Sequence, residues 1–309
     1  MIHRLIFCFV VACTLEVSIC FAADKVWWGG TGGSVGDYGV AANWQPSGVP
    51  GSGDNVYIPV GSNVISGTLN QSGVSIGTFI VEDGYDSAIG TFTSSAASPS
   101  YLQIDCTSFT FGGTRKCFIE LAHSGAINAN VRTADISPTA GEFGLYLQTD
   151  GSGTIGTLTV ASGYVAFAAF GDDPAQTVAN LRVSGSSAIV LIGPNATTTN
   201  VDNSKGSITI DSDNTIANLE SDGGTTTIRG IGAITAATVN GGTLFHNGSG
   251  TATAVNVDGG TFTAVSGPPK TITTLTWSTG TVEIDPELTT VTNLAIDTAA
   301  PYQIITTKD

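Results

Sequence analysis

The chain has 309 residues, of which 41% are apolar and only 11% charged, with 25 acids against 10 bases and a net charge of −15. A surface this acidic repels nucleic acid and anionic lipid, and ten bases supply no patch to offset it. Forty glycines, abundant Thr, Ser, Val and Ile, and no helix-period apolar stripe beyond the first residues describe an all-β chain of short strands and tight turns.

Residues 1–22 read as an export signal. His3 and Arg4 precede an apolar run from Leu5 to Ala12, and Cys20-Phe21-Ala22 puts small residues where a signal peptidase inspects them. Cleavage after Ala22 leaves 24 acids against 9 bases, so the charge stays at −15. Glu16 interrupts the apolar run well short of the roughly 20 residues a spanning helix needs, which argues against a retained anchor. Val10-Val11-Ala12-Cys13 offers a rival route, lipidation at Cys13, although the apolar stretch before it is short. The mature chain is expected to be secreted or held at the cell surface, with no later segment of spanning length.

Residues 23–65 carry Trp27-Trp28-Gly29-Gly30, Asn43-Trp44-x-Pro46 and Val49-Pro50-Gly51-x-Gly53-Asp54-x-Val56-x-Ile58-Pro59. Three of the four tryptophans lie here and the prolines cluster. A solenoid needs its first coil covered, because a bare coil presents unpaired strand edges, so this segment is expected to form an N-terminal aromatic cap.

From 66 to 156 the coils read as irregular. Ile76-Gly77-Thr78-Phe79-Ile80-Val81-x-x-Gly84-Tyr85 matches Ile155-Gly156-Thr157-Leu158-Thr159-Val160-x-x-Gly163-Tyr164, and loops are expected at Ser94–Ser100 and Ser137–Glu142. Tyr85 and Tyr164, at equivalent places, are the expected exposed aromatics for a ligand platform. Cys106 and Cys117 flank Gly112-Gly113. An exported chain meets an oxidising compartment, so a local disulfide is expected, with two separately buried thiols as the alternative.

From 157 to 309 the coils repeat every 18–23 residues. Glycines 224, 242, 260 and 280 are spaced 18, 18 and 20 apart, a period that marks one coil of a solenoid. Counting from the turn anchors Gly163, Ser186, Gly206, Gly224, Gly242, Gly260 and Gly280, apolar residues recur five and three before, two and four after, and eight before. Three inward segments per coil predict a right-handed parallel β-helix with three faces. Trp277 falls on an inward position where other coils carry Val or Ser. Asn180, Asn200 and Asn218 stand six before their anchors and Asn293 opens a final, unfinished coil in the same way, which predicts an Asn ladder at a bend. That last coil runs to Ile304 and Ile305. Its open edge is expected to dock a second copy or another surface protein through those two residues.

The opening pattern W-x-G-G, N-W, V-P and G-D-x-V-x-I, followed by Gly- and Thr-rich coils, resembles a module that begins many secreted bacterial surface proteins and some viral tail or particle proteins. The coils resemble those of autotransporter-passenger and adhesin-type β-helices. The resemblance implies a surface role and transfers no catalytic residues.

Chemistry is sparse. Polysaccharide lyases and hydrolases need clustered carboxylates or acids beside a base. Here the bases Arg182, Lys205, Arg229 and Lys270 do not align, and Asp222, Asp258 and Asp297 read as turn residues bonding their own backbone. Asp211, Asp213 and Asn214 form an oxygen-rich turn, the weak candidate for calcium, without the loop of an EF-hand. His123 and His246 stand alone, too few for zinc. No cofactor is expected. Outward pairs such as Ser207/Thr209, Thr225/Thr227 and Thr261/Thr263 resemble the Thr-x-Thr array of ice-binding faces, interrupted at Phe245 and Glu283. The leading expectation is an exported, non-catalytic solenoid of structural or adhesive function. The rivals are a carbohydrate-binding or polysaccharide-processing β-helix and, third, an ice-binding protein.

Overall fold

A computed structural model describes residues 23–30, 35–91, 100–132, 144–151, 153–170, 175–297 and, for their backbone, 304–305. The signal segment 1–22, most of both expected loops and the tip at Lys308 and Asp309 lie outside the described residues.

The strands in the first half are β1 (Asp24–Trp27), β2 (Trp44–Gln45), β3 (Asn55–Ile58), β4 (Asn70–Val81), β5 (Leu102–Phe111), β6 (Cys117–Leu121), β7 (Ala126–Arg132), β8 (Leu145–Thr149) and β9 (Thr154–Phe167). Then come β10 (Gln176–Val183), β11 (Ala188–Ile192), β12 (Ala196–Asn203), β13 (Ser207–Ile210), β14 (Ile216–Ser221) and β15 (Thr225–Ile228). The last are β16 (Ile234–Val239), β17 (Thr243–His246), β18 (Ala252–Ala264), β19 (Lys270–Ile284), β20 (Thr289–Ile296) and β21 (Ile304–Ile305). They build a parallel β-solenoid of about 11 turns, with 61% of residues in strands.

Two sides of the coil follow from the pairing. One sheet stacks β1, β3, β4, β5, β7, β9, β10, β12, β14, β16, β18, β19 and β20, all parallel. A second stacks β6, β8, the end of β9, β11, β13, β15, β17 and the ends of β18 and β19. From β9 onward each strand of the first sheet bends once, so Ile216, Ile234, Ala252 and Ile272 form one buried column ahead of the bend and Leu219, Ala237, Val255 and Leu275 form another after it. These columns, with Ile210 and Ile228 from the second sheet, merge into one core running along the axis. Each fully buried Leu or Ile side chain stabilises the stack by roughly 1.5–3 kcal/mol, which is why a coil folds only against its neighbours.

The bend between sheets needs glycine. Gly224, Gly242, Gly260 and Gly280 have φ of 65°, 62°, 59° and 85°, the left-handed region that side chains disfavour. They also stack closely: a Cβ on Gly242 would lie 2.4 Å from the Gly224 carbonyl oxygen. The expected period therefore has two causes, conformation and contact.

Four expectations need correction or adjustment. The anchor at Ser186 holds for the strand before the turn, where Leu181 pairs with Leu158, but after it Ile189 pairs with Tyr164, so the turn contains two extra residues. The slip is even, and inward residues stay inward. Tyr85 is fully buried, not exposed, and its hydroxyl donates to the Asn63 carbonyl at 3.0 Å. Ile89 occupies the second-side column of Cys117, Leu145 and Val165, five residues after Gly84, whereas Val165 follows Gly163 by two; the longer corner turns Tyr85 into the core. Cys106 and Cys117 are separate buried thiols rather than a disulfide, because Cys106 stacks on Ile76 in the first sheet and Cys117 on Leu145 in the second. Asn293 stands in the Asn column, yet its neighbour is Thr274, and it joins no ladder.

The described residues of the segment 23–65 differ less from the solenoid than their sequence suggests, since β1 and β3 already belong to the first sheet. Ahead of them, β2 runs antiparallel along β1, pairing Trp44 with Trp27. Trp27, Tyr38 and Trp44 are buried and meet edge to face or stacked at 4.7–6.2 Å. The Trp44 indole donates to the Tyr38 carbonyl and that of Trp27 to the Asn63 carbonyl, both at 2.8 Å.

Candidate functional site

The first sheet is the longer of the two stacks, and its outward side is one continuous surface. From β4 to β20 one outward column reads Thr78, Ser108, Asn128, Thr157, Asn180, Asn200, Asn218, Ala236, Ala254, Thr274 and Asn293. The column beside it carries charge only at Arg182, Asp202 and Glu220, on three successive coils. Strand alternation puts these side chains outside while Leu181, Val201 and Leu219 point in.

At the bend the predicted ladder forms over three rungs. Asn218 Nδ2 donates to Asn200 Oδ1 at 2.8 Å, Asn200 Nδ2 to Asn180 Oδ1 at 2.9 Å, and Asn180 Nδ2 to the Gly156 carbonyl at 2.8 Å. A shallow groove of about 240 Å³ runs between this ladder and Arg182, Asp202 and Glu220. A second groove of about 440 Å³ lies further along the same face, lined by Ile80, Thr110, Asn130, Arg132, Thr159 and Ala161. In the first groove Arg182 and Asp202 are register partners on adjacent coils, and in the second Arg132 lies 3.3 Å from Asp83 in an exposed ion pair.

The second sheet carries an aromatic file that the sequence did not reveal. Phe118 and Tyr146 are register partners and stack at 5.0 Å; Tyr101 meets Phe118 at 5.8 Å, while Tyr164 and Phe170 reach Tyr146 at 6.3 and 5.7 Å. The Lys116 ammonium sits 5.0 Å from the Tyr146 ring centre and 5.6 Å from that of Phe118. Burial pushes the phenols of Tyr146 and Tyr164 up. Phe118, Tyr146 and Phe170 stack on one another, whereas Tyr101 meets Phe118 edge-on and the Tyr164 ring is tilted by 56° to that of Tyr146. Of the two tyrosines expected as a platform, only Tyr164 is on the surface, and its partner there is Tyr146, not Tyr85.

The remaining polar candidates resolve into local structure. Both oxygens of Asp211 are taken by Arg229, at 2.7 and 2.8 Å, one coil away. Asp213 accepts the Ile231 amide, and the Asn214 side chain donates to the Ala196 carbonyl. These three ligands, expected to converge on calcium, point to three different partners instead, because the turn's task is to tie one coil to the next. Among the described residues no three His, Cys, Asp or Glu side chains are placed to hold a metal. Asp222 and Asp258 are separated by the coil of Asn240, which donates to Asp222 at 2.8 Å. His123 Nδ1 lies 2.5 Å from Asp105, a pair one coil apart that irregular coil lengths hid from sequence reading. His246 is fully buried, with Nε2 2.9 Å from the Gly250 carbonyl. Burial lifts both thiols to about 12, which makes Cys106 and Cys117 poor nucleophiles.

The Thr-x-Thr pairs do stack in register: Ser207, Thr225, Thr243, Thr261 and Thr281 form one column, and Thr209, Thr227, Phe245, Thr263 and Glu283 the other. Phe245 and Glu283 break the second column. At the far end β20 pairs with β19 alone among the described strands, while β21 pairs with the other end of β19. Comparison with protein-family models, with curated proteins and with solved structures finds no match. Among the described residues no helix is long and apolar enough to cross a membrane.

Proposed function

We propose that this protein is an exported, non-catalytic solenoid that serves as a structural or adhesive component of a cell surface, extracellular matrix or particle. The observation that carries this reading is the first sheet's outward side, where the bend column is Thr, Asn, Ser or Ala on eleven successive coils, from Thr78 to Asn293, and the column beside it is charged on only three, at Arg182, Asp202 and Glu220. A surface so repetitive suits contact along its length, whereas catalysis needs acid, base and substrate groups converging on one point. The aromatic residues around Trp27 act as the cap of the first coil, and assembly runs through the edge of the last, towards another copy or another surface protein.

A carbohydrate-binding role is the second reading, favoured by Tyr146 and Tyr164 beside Lys116 on the second sheet. Two measurements on the protein expressed with its own leader separate these readings. Mass spectrometry of the exported form is expected to start at Ala23. Incubation with a panel of acidic and neutral polysaccharides is expected to release no unsaturated or reducing ends, and release of either would overturn the non-catalytic reading. Retention on one polysaccharide that is lost in Tyr146→Ala/Tyr164→Ala would establish the second reading.

A further inference from the structure

We infer that β20 is a self-complementary docking edge through which two copies of this chain join about a two-fold axis, last coil to last coil, by antiparallel β20–β20 pairing. This deepens the assembly reading by naming the occupant as a second copy, and it needs only the free strand edge, not an adhesive role.

The edge is exposed where every equivalent position upstream is covered. Leu294 and Ile296 stand in the columns of Leu275 and Trp277, which are 0% and 1% exposed, yet they are themselves 53% and 36% exposed. No described strand pairs with the outer side of β20, whose backbone donors and acceptors there are a template for another strand. Natural edges are usually blunted by charge, proline or a bulge. Thr289–Ile296 has no charge and no proline, within a chain of net charge −15.

Two features select a second copy. The first is the pattern of inward residues. By their pairing with Lys270, Ile272, Leu275 and Trp277, the residues of β20 that face the core are Thr289, Val291, Leu294 and Ile296. The bend between 291 and 294 makes this pattern the same when read backwards about the point between Thr292 and Asn293. An antiparallel copy therefore sets Val291 opposite Leu294 and Thr289 opposite Ile296, core side against core side, with outward Thr290 opposite Ala295. Residues directly opposite in an antiparallel pair project to the same side, so one register satisfies the backbone and joins the two cores. Such a contact is isologous and closes at two copies. The second feature is the other end of the solenoid. There Val26 and Trp27 of β1 already pair with the antiparallel β2, so among the described strands that end offers no fully free parallel edge for head-to-tail growth.

Charge sets a signature. Reversal about the same point brings the exposed Glu287 and Asp297 of the two copies close together at both rims. Like charges at the rim weaken the dimer, and salt screens them, so added salt is expected to tighten this association rather than loosen it.

Sedimentation velocity on the exported chain, from low to high micromolar protein, is expected to show a monomer passing to a dimer and to nothing larger. Leu294→Lys is expected to raise the dissociation constant by about tenfold or more without lowering the melting temperature of the upstream coils, which depend on their nearest neighbours. Amide exchange in Thr289–Ile296 is expected to slow as concentration rises in the wild type and not in the variant. A monomer at every concentration, with β20 exchange independent of concentration, overturns the proposal in favour of an edge covered by the chain itself or left bare. Growth beyond two copies overturns it in favour of head-to-tail stacking, and a dimer unaffected by Leu294→Lys overturns the assignment to β20. None of these outcomes depends on polysaccharide retention or turnover, so this inference and the proposed surface role fail separately.

Discussion

The two halves of the solenoid fill the same cross-section differently. Between β4 and β9 the core is aromatic: Phe79, Phe109, Phe111 and Phe167 are fully buried, Phe79 stacks on Phe109 at 6.2 Å, and Tyr85 is folded in beside them. Between β12 and β17 the core is aliphatic and partly polar, with Asn203, Ser221, Thr226 and His246 all at 0% exposure. Coil regularity tracks this. Where coils keep a period near 18, glycine turns stack on glycine turns and the columns hold small or polar residues, whose buried polar groups bond backbone carbonyls of their own coil or the next. Asn203 illustrates it: its amide donates to the carbonyls of Gly206 and Thr225 and to the Thr226 hydroxyl, and its oxygen accepts the Gly206 amide. Where coils carry insertions, large rings occupy inward strand positions instead.

The largest test of that contrast is Trp277→Ala. Trp277 is the one large ring in the aliphatic half's column of Val239 and Val257, 1% exposed, with its indole donating to the Gly280 carbonyl at 3.2 Å. Its removal is expected to cost about 3–5 kcal/mol, read as a loss of denaturation midpoint. A cost below about 1 kcal/mol would mean that the thin half closes around the gap, and the contrast in packing would be illusory.

The next effect depends on pH. Burial lowers His246 from 6.5 to about 4, helped by the Lys270 charge and opposed by the bond to the Gly250 carbonyl. A histidine with a lowered folded value takes up fewer protons than the unfolded chain, so its contribution is complete above about pH 6.5 and disappears as pH falls towards 4. With about 1.4 kcal/mol per unit, the full loss is roughly 3 kcal/mol. His246→Ile, the residue type of its column neighbour Ile228, is expected to remove that part of the acid sensitivity. Parallel stability profiles for the two proteins between pH 7 and 5 would refute a buried neutral imidazole.

Glycine turns give a smaller effect. Gly242→Ala places a side chain at φ 62° against the Gly224 carbonyl oxygen, and about 1–2 kcal/mol is expected from the left-handed conformation alone. The same change at Gly73, where a Cβ would meet nothing within 4 Å, is expected to be neutral or better. Equal effects at both positions would show that the repeat's glycines are not what holds its turns.

What sequence reading recovered and missed follows the same division. In the regular half the inward positions, Trp277 and the first three Asn rungs were legible, since a fixed period converts sequence spacing directly into spatial neighbours. The error at Ser186 was harmless because two extra residues preserve strand parity. In the irregular half, Tyr85 was placed on the wrong side because the corner after Gly84 holds three more residues than that after Gly163, an odd number that reverses parity. The Asp105–His123 pair and the aromatic file escaped for the same reason: column membership is set by coil length, which no local pattern encodes there. Cys106 and Cys117 are close in sequence, yet the corner between them sends them to different sides of the coil.

The smallest effect isolates the surface ladder from the core. Asn200 is the middle rung, donating to Asn180 and accepting from Asn218, in a partly exposed position where water competes for both bonds. Each such bond contributes about 0.5–1.5 kcal/mol net at most, and the exposed one less. Asn200→Ala is therefore expected to cost about 1 kcal/mol. Ala236 and Ala254 occupy the same column further along, so the backbone there accepts alanine without strain, and the cost reports the ladder's hydrogen bonds alone. Asn293→Ala, in the same column with Thr274 as its neighbour and no rung to break, is the internal control and is expected to change stability by less than about 0.5 kcal/mol. If the two substitutions cost the same, the ladder adds nothing beyond what any strand pair provides, and the Asn column would be better explained by what the outward face touches than by what holds the coils together.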